Sequence, residues 1–271
     1  MEFSVLMSVY KKENPDYLQV ALDSILNQTR MPSQIVVVKD GQLTEALNHV
    51  IDIFVAEYPS VFTILELPQN LGLGLALQEG IKKCRFELVA RMDSDDISLE
   101  SRFEKQLKLF EENPDLAIVG SSIEEFDSKS GEVISYRNVP VSFDEIFSFA
   151  RKRNPFNHMT VMYRKSAVLE AGNYKDFMWF EDYYLWVRML AHGAQAYNIS
   201  EPLVRARADL AMFERRGGWK YARNEYRLQK EFLAMGFISK HQFVKNSLMR
   251  IITRLIPNFL RRIIYIHMIR K

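Results

Sequence analysis

Three carboxylates crowd into the stretch Arg91-Met92-Asp93-Ser94-Asp95-Asp96, directly after the β-forming run Phe86-Glu87-Leu88-Val89-Ala90. Like charges repel and Asp is depleted from strand interiors, so the cluster belongs to a loop that has a use for its charge. Carboxylates at i and i+2 on a tight turn can face one point, as a hard divalent cation requires. Mg2+ or Mn2+ takes one or two carboxylates and completes its shell with water and substrate phosphates. Such an ion would act as a Lewis acid on a departing diphosphate. Two other uses compete. Asp96 or Ser98 could cap the helix predicted from Ile97-Ser98-Leu99-Glu100 onward, although capping leaves Asp93 and Asp95 without a purpose. An Asp-x-Asp after a strand also opens aspartyl-phosphate sites, but Asp96-Ile97 fits that chemistry poorly.

Other residues could do chemistry at comparable places. Asp40 follows Val36-Val37-Val38-Lys39, and a carboxylate at a strand end can accept hydrogen bonds from a nucleobase or ribose; the plainer alternative is an Asp-Gly turn with Gly41. Ser8 and Tyr10 end the first apolar run. Gly72 and Gly74 lie in Asn70-Leu71-Gly72-Leu73-Gly74, which departs from G-x-G-x-x-G, so close backbone packing is expected rather than a dinucleotide fingerprint. Glu181-Asp182 opens an aromatic-rich helical stretch. It could favour the helix dipole or serve as general base for a sugar hydroxyl, with Trp179, Phe180 and Trp186 as surfaces for the C–H faces of a carbohydrate. His158 is a structural or an active-site histidine.

These residues need positioning, and the pattern around them supplies it. Strands are predicted at Phe3 to Val9, Gln34 to Lys39, Thr63 to Leu67, Phe86 to Met92 and Leu116 to Gly120, with helical periodicity over 17–27, 43–57, 70–83 and 99–112. Strand–helix–strand at this spacing predicts right-handed crossovers and an α/β fold with a mostly parallel sheet flanked by helices. Ligands on such sheets bind beyond the carboxyl ends of the strands, where Ser8 to Tyr10, Asp40 and Asp93 to Asp96 all fall. The second half is less regular, with helices expected near 143–152, 183–192 and 218–235.

Bulk properties bound the function. A chain of 271 residues with 48% hydrophobic and 26% charged residues is globular rather than disordered. Cys84 stands alone, so no internal disulfide or cysteine zinc site is expected. The first residues carry no basic n-region, and no window is apolar for ~18 residues, so the expectation is a cytoplasmic protein without a membrane span. The whole chain has a net charge of +2, its last forty residues +8, and the remainder therefore −6. In that tail Arg250, Arg254, Arg261 and Arg262 interleave with Ile, Leu and Phe. This predicts a basic amphipathic helix that lies on an anionic membrane surface, the alternative being a helix packed on the domain or a partner. Nucleic acid is not an expected partner, since base-stacking motifs are lacking.

In order along the chain, Ser4 to Thr29, Ile35 to Gly41, Asn70 to Ile81, Ala90 to Asp96 and Phe180 to Met189 resemble the family 2 glycosyltransferases of GT-A fold, in their bacterial capsule, exopolysaccharide and O-antigen branch. The resemblance implies a nucleotide-diphospho-sugar transferase fold. Its catalytic domain would span 1–215 (nucleotide-binding half about 1–120, acceptor half about 121–215), with a basic helical extension over 216–271. It implies that Ser8, Tyr10, Asp40, Arg91, Asp93, Ser94 and Asp95 meet a UDP-sugar, with Asp40 reading uracil. Asp95 and Asp93 would hold Mn2+ or Mg2+, Asp182 with Glu181 would supply the base, and His158, Trp179 and Asp96 would line the acceptor or donor pocket. The implied reaction inverts the anomeric centre and adds one sugar to a saccharide acceptor, lipid-linked and presented at the inner face of the cell membrane. Two departures are visible. Lys39-Asp40 stands where the family often has Asp-Asp, and no Q-x-x-R-W follows Glu181-Asp182, which argues against a processive synthase. A nucleotidyltransferase and a non-catalytic nucleotide-binding scaffold are the alternative functions.

Overall fold

A computed structural model describes residues 1–208 and 218–255. The first half alternates as predicted: β1 (Phe3–Val9), α1 (Pro15–Leu26), β2 (Gln34–Lys39), α2 (Glu45–Glu57), β3 (Phe62–Glu66), α3 (Leu73–Ile81) and β4 (Leu88–Met92). Next come β5 (Ile97–Ser98), α4 (Arg102–Glu112), β6 (Leu116–Phe126), β7 (Val133–Arg137), α5 (Phe143–Ala150), a 3-10 turn (His158–Thr160), β8 (Met162–Arg164) and α6 (Lys165–Glu170). The described chain ends with α7 (Glu181–Ala191), β9 (Gln195–Arg207), α8 (Trp219–Ala234) and α9 (Lys240–Leu255).

The strands form one sheet in the order β3-β2-β1-β4-β8-β6-β9-β5, with β7 paired to β6. From β3 to β4 every ladder is parallel, because an intervening helix returns the chain to the same end each time. Beyond β4 the sheet is mixed. β8 inserts antiparallel between β4 and β6, and β9 lies parallel to β6. The predicted fifth strand therefore does not neighbour the fourth, and it extends to Phe126 rather than stopping at Gly120. Its apolar run ends at Gly120, but continued pairing with β9 and β7 keeps the later residues extended.

Side-chain alternation splits the core into two layers. Val5, Met7, Ile35 and Val37 face α1, α2 and α4 through Leu18, Leu22, Leu47, Ile51 and Phe103. Leu6, Val36 and Val38 face α3 and α7 through Leu77, Ile81 and Trp186. Gly80 explains how α3 lies so near the sheet: a Cβ there would sit 2.6 Å from both Leu6 Cδ1 and Val38 Cγ2.

The C-terminal helices join the same core. Phe232 of α8 meets Tyr183 of α7 edge-on at 5.0 Å, and Glu225, 1% exposed, is ion-paired to both Arg250 and Arg254 of α9. Two of the four arginines expected on a membrane-facing helix thus turn inward, because a buried carboxylate needs them. Arg261, Arg262 and the boundary expected at 215–216 lie outside the described residues. Among the described residues, no helix is long and apolar enough to cross a membrane.

Candidate active site

Parallel pairing of β1, β2 and β4 brings their carboxyl ends to one edge, and the expected polar residues collect there. Ser8 is half-buried at the end of β1, beside Val38 of β2, and Tyr10 is 41% exposed just beyond it. Asp93, Asp95 and Asp96 place one carboxylate oxygen each within 4.8 Å of one another in the loop after β4. Glu13, at the entry to α1, holds this loop by accepting a 2.6 Å hydrogen bond from Ser94. At its other end, Arg207 donates its backbone N–H to Asp96 at 2.9 Å and its guanidinium Nε to the Asp95 carbonyl at 2.6 Å. The Arg207 guanidinium lies between the Tyr17 ring at 4.0 Å and the Phe126 ring at 5.0 Å.

The carboxylates of this loop crowd one another and are only partly compensated. Burial, with Asp93 and Glu13 nearby, pushes the Asp95 carboxyl up to about 7. Burial, Asp95 and Asp93 raise Asp96 well above the usual carboxylate range. Arg91, 1% exposed, pairs with Asp93 but leaves Nε and Nη1 without a partner among the described residues. Neither Asp96 nor Ser98 caps α4, whose first turn follows Ser101. Three converging, crowded oxygen donors are a set that Mg2+ or Mn2+ fits; unpaired guanidinium N–H groups beside them suit phosphate oxygens.

Glu181 and Asp182 occupy the first turn of α7. Asn154 Nδ2 donates to Asp182 Oδ2 at 2.7 Å and the Tyr183 N–H donates to Oδ1 at 2.6 Å, which fixes the carboxylate plane. Burial and neighbouring Asp182 push Glu181 up to about 7, and Arg91 and Asp93 also act on it. The charges of Arg91 and Asp93 thus reach the first turn of α7, although the two motifs are far apart in sequence. Gly74 makes room for this: a Cβ there would lie 2.7 Å from the Lys175 carbonyl and 3.0 Å from Glu181 Cβ. Its role is close packing, as the sequence pattern suggested.

The aromatic residues separate into different roles. Trp186 is fully buried and Phe180 is 6% exposed, so neither offers a face to a carbohydrate; both belong to the core. Trp179 does offer one. It is 39% exposed, has φ +71°, and stacks on Tyr221 of α8 at 5.0 Å. A bulky residue in the left-handed region is strained, a feature that clusters at functional sites. His158 lies beneath the edge, its Nε2 3.1 Å from the Tyr174 hydroxyl and its ring 5.9 Å from Trp186. Burial and the Arg91 charge hold its pKa well below the ordinary value, which favours the neutral ring.

Asp40 reaches the edge as expected but is already engaged. Its carboxylate accepts from Asn70 Nδ2 at 2.9 Å and from the N–H groups of Leu71 at 2.7 Å and Gly72 at 3.0 Å. Asn154, Arg207, Glu13 and Tyr174 were not singled out in the sequence. Asn154 and Arg207 are ordinary loop and strand-end residues whose roles come from tertiary contact alone, while Asn70 is marked by the Asn-Leu-Gly run it begins.

A parallel half-sheet, an acidic loop at its carboxyl edge and a second acidic pair opening a later helix fit a GT-A glycosyltransferase architecture. Residues 4–176 match the Glycosyl transferase family 2 profile, and the chain belongs to that family. It is 40% identical over 266 residues, 97% of each chain, to the amylovoran biosynthesis glycosyltransferase AmsE of Erwinia amylovora. It is 39% identical over 272 residues, 100% of this chain and 97% of the other, to the UDP-Gal:alpha-D-GlcNAc-diphosphoundecaprenol beta-1,3-galactosyltransferase of Escherichia coli. The fold is shared with S. aureus TarS 1–349 in complex with UDP-GlcNAc, at TM-score 0.68 and 17% identity over 92% of this chain and 72% of that one.

Proposed function

We propose that this glycosyltransferase moves a single sugar from a UDP-sugar onto a growing, lipid-linked saccharide, with inversion at the anomeric carbon and with Mn2+ or Mg2+ as cofactor. The observation that carries the reading is the convergence of Asp93, Asp95 and Asp96 oxygens within 4.8 Å in the loop after β4, supported by the influence of Arg91 and Asp93 on Glu181 at the start of α7. One motif would manage the leaving group and the other the attacking hydroxyl.

Asp93 and Asp95 would hold the cation, which supplies positive charge to the departing diphosphate. Arg91 would add hydrogen bonds to it from Nε and Nη1. Asp182, oriented by Asn154 and the Tyr183 N–H, accepts the proton of the acceptor hydroxyl. The hydroxyl oxygen then attacks the anomeric carbon opposite the breaking bond, and the electron pair of that bond leaves with UDP. Trp179, three residues before this base in the chain and 39% exposed, would stack on the acceptor or donor sugar, and Asp96 would border the same pocket.

The lipid-linked acceptor is proposed from the name of the Escherichia coli relative, and polysaccharide assembly from that of the Erwinia amylovora relative. A lipid-linked acceptor would place the enzyme at the inner face of the cell membrane, held there by basic groups of the tail other than the inward-facing Arg250 and Arg254. The decisive test is transfer of labelled sugar from UDP-sugars to undecaprenyl-diphosphate-linked saccharides by the wild-type protein and Asp182→Asn. Donor binding retained with transfer lost in the variant supports the reading, and near-normal transfer by the variant overturns it.

A further inference from the structure

The helical hairpin of α8 and α9 grips a segment that leads into the candidate active site. α5 ends at Ala150, and the last carbonyls of a helix have no partner within it. Two successive carbonyls just past this end are met from α9. Asn246 Nδ2 donates to the Arg151 carbonyl at 2.8 Å, and Arg250 Nη2 donates to the Lys152 carbonyl. Asn246 and Arg250 are four residues apart and so share one face of α9. Both are anchored from behind: Asn246 also donates to Gln229 Oε1 of α8 at 3.0 Å, and Arg250 pairs with Glu225. Gln229 and Glu225 are both fully buried.

From this grip to the proposed base the path is short and stiff. Asn154 lies two residues beyond Lys152, and Pro155 after it disfavours helical backbone at Asn154. Asn154 Oδ1 accepts from the Phe156 N–H at 3.3 Å, which leaves Nδ2 to donate to Asp182 Oδ2 at 2.7 Å. Phe156 is itself buried and packs edge-on against Trp186 at 5.9 Å. The residue after the base is tied to the same end of α5, since the Tyr183 hydroxyl donates to the Ala150 carbonyl at 2.7 Å. The hairpin also reaches the proposed sugar platform: Tyr221 of α8 stacks on Trp179 at 5.0 Å and carries the Arg254 guanidinium over its ring at 4.5 Å.

One arginine is enough to pair Glu225, and Arg254 Nε already does so at 2.8 Å. Arg250 does more, since its guanidinium fork bridges that carboxylate and the Lys152 carbonyl. We infer that Asn246 and Arg250 are positioning residues for the transfer reaction: by fixing residues 151–154 from α9 they hold Asn154, and through it the carboxylate plane of Asp182. This rests on the reading of Asp182 as base given above. It gives the inward-facing Arg250 a use that neutralising Glu225 does not require, and it makes the C-terminal hairpin a support of the site as well as of the fold.

Asn246→Leu, Arg250→Lys and Asn154→Ala, with each α9 change also combined with Asn154→Ala, test it in the full chain. Arg250→Lys keeps a cation opposite Glu225, so α9 stays packed even where Asn246→Leu does not, but an ammonium lacks the fork that reaches both acceptors. Asn154→Ala should lower kcat for transfer of labelled sugar from a UDP-sugar by ~100-fold, the cost of a 1 Å misplacement, and each α9 variant by ~10-fold. Affinity for UDP with Mn2+ should be unchanged in all three. In the doubles, neither α9 change should lower kcat by more than ~2-fold beyond Asn154→Ala, because changes that act through one residue do not add as independent ones do. Hydrogen exchange over residues 151–156 should quicken in Asn246→Leu and Arg250→Lys. Losses that multiply in the doubles, wild-type kcat in both α9 variants, or unchanged exchange overturn the inference. A wild type that transfers no sugar from any UDP-sugar, or an Asp182→Asn variant that transfers normally, overturns the reading on which it rests.

Discussion

Asp40 and the Asp93–Asp96 loop are both acidic and both at carboxyl ends of parallel strands, yet they differ in how their carboxylates are partnered. Asp40 accepts from two backbone N–H groups and an amide, all from residues 70–72. Asp95 and Asp96 are raised toward protonation by burial and by neighbouring carboxylates, and Arg91, paired with Asp93, has N–H groups to spare. A carboxylate that gathers three donors from one short loop is a structural clamp on that loop. Carboxylates left crowded are stable in the ionised state only when something positive arrives. Sequence position does not distinguish the two; the hydrogen-bond inventory does.

Substitutions can break this contrast at several levels. The largest expected effect lies in the third acidic element: Asp182→Asn should cut transfer by ~1,000-fold, within the usual range for loss of a general base. UDP-sugar binding by that variant should be unchanged in calorimetry. The clamp and the crowded loop should then respond with opposite signs in thermal unfolding without metal. Asp40→Asn should destabilise by about 2 kcal/mol, because an amide cannot satisfy all of the donors it meets. Asp95→Asn should stabilise by about 1 kcal/mol, since it removes a charge that burial and its neighbours disfavour. Equal losses in both would erase the distinction.

A smaller effect is predicted with pH. Asp95 and Glu181 are each pushed up to about 7, so the folded protein holds protons that the unfolded chain has released above the ordinary carboxylate range. Stability of the metal-free protein should therefore fall as pH rises from about 4 to about 7. Asp95→Asn should flatten part of that slope, and Mn2+ should oppose it by binding the deprotonated form. A melting-temperature series in matched buffers measures both.

Much of the frame was legible in the sequence because it is periodic. β1 and β2 run as predicted, Phe3–Val9 and Gln34–Lys39, and the crossovers fix the parallel half-sheet. The GT-A architecture and the family followed from the order of the motifs. What stayed hidden depends on contacts that local pattern does not encode. The insertion of β8 between β4 and β6 is a choice among strand pairings. Arg207 reaches the acidic loop only because β9 ends there, and Arg250 and Arg254 turn inward only because Glu225 is buried opposite them. Trp186 read as a sugar platform because its neighbours are aromatic, but its place on α7 faces the core.

The central claim is that the Asp93–Asp96 loop is built to receive a cation together with a diphosphate. Titrating UDP into the wild type and Asp95→Asn, each with and without Mn2+, tests it most directly. The account predicts UDP binding strengthened ~30-fold or more by Mn2+ in the wild type, consistent with charge-assisted contacts to the phosphates, and little strengthening in Asp95→Asn. Equal UDP affinity in all four titrations would contradict it.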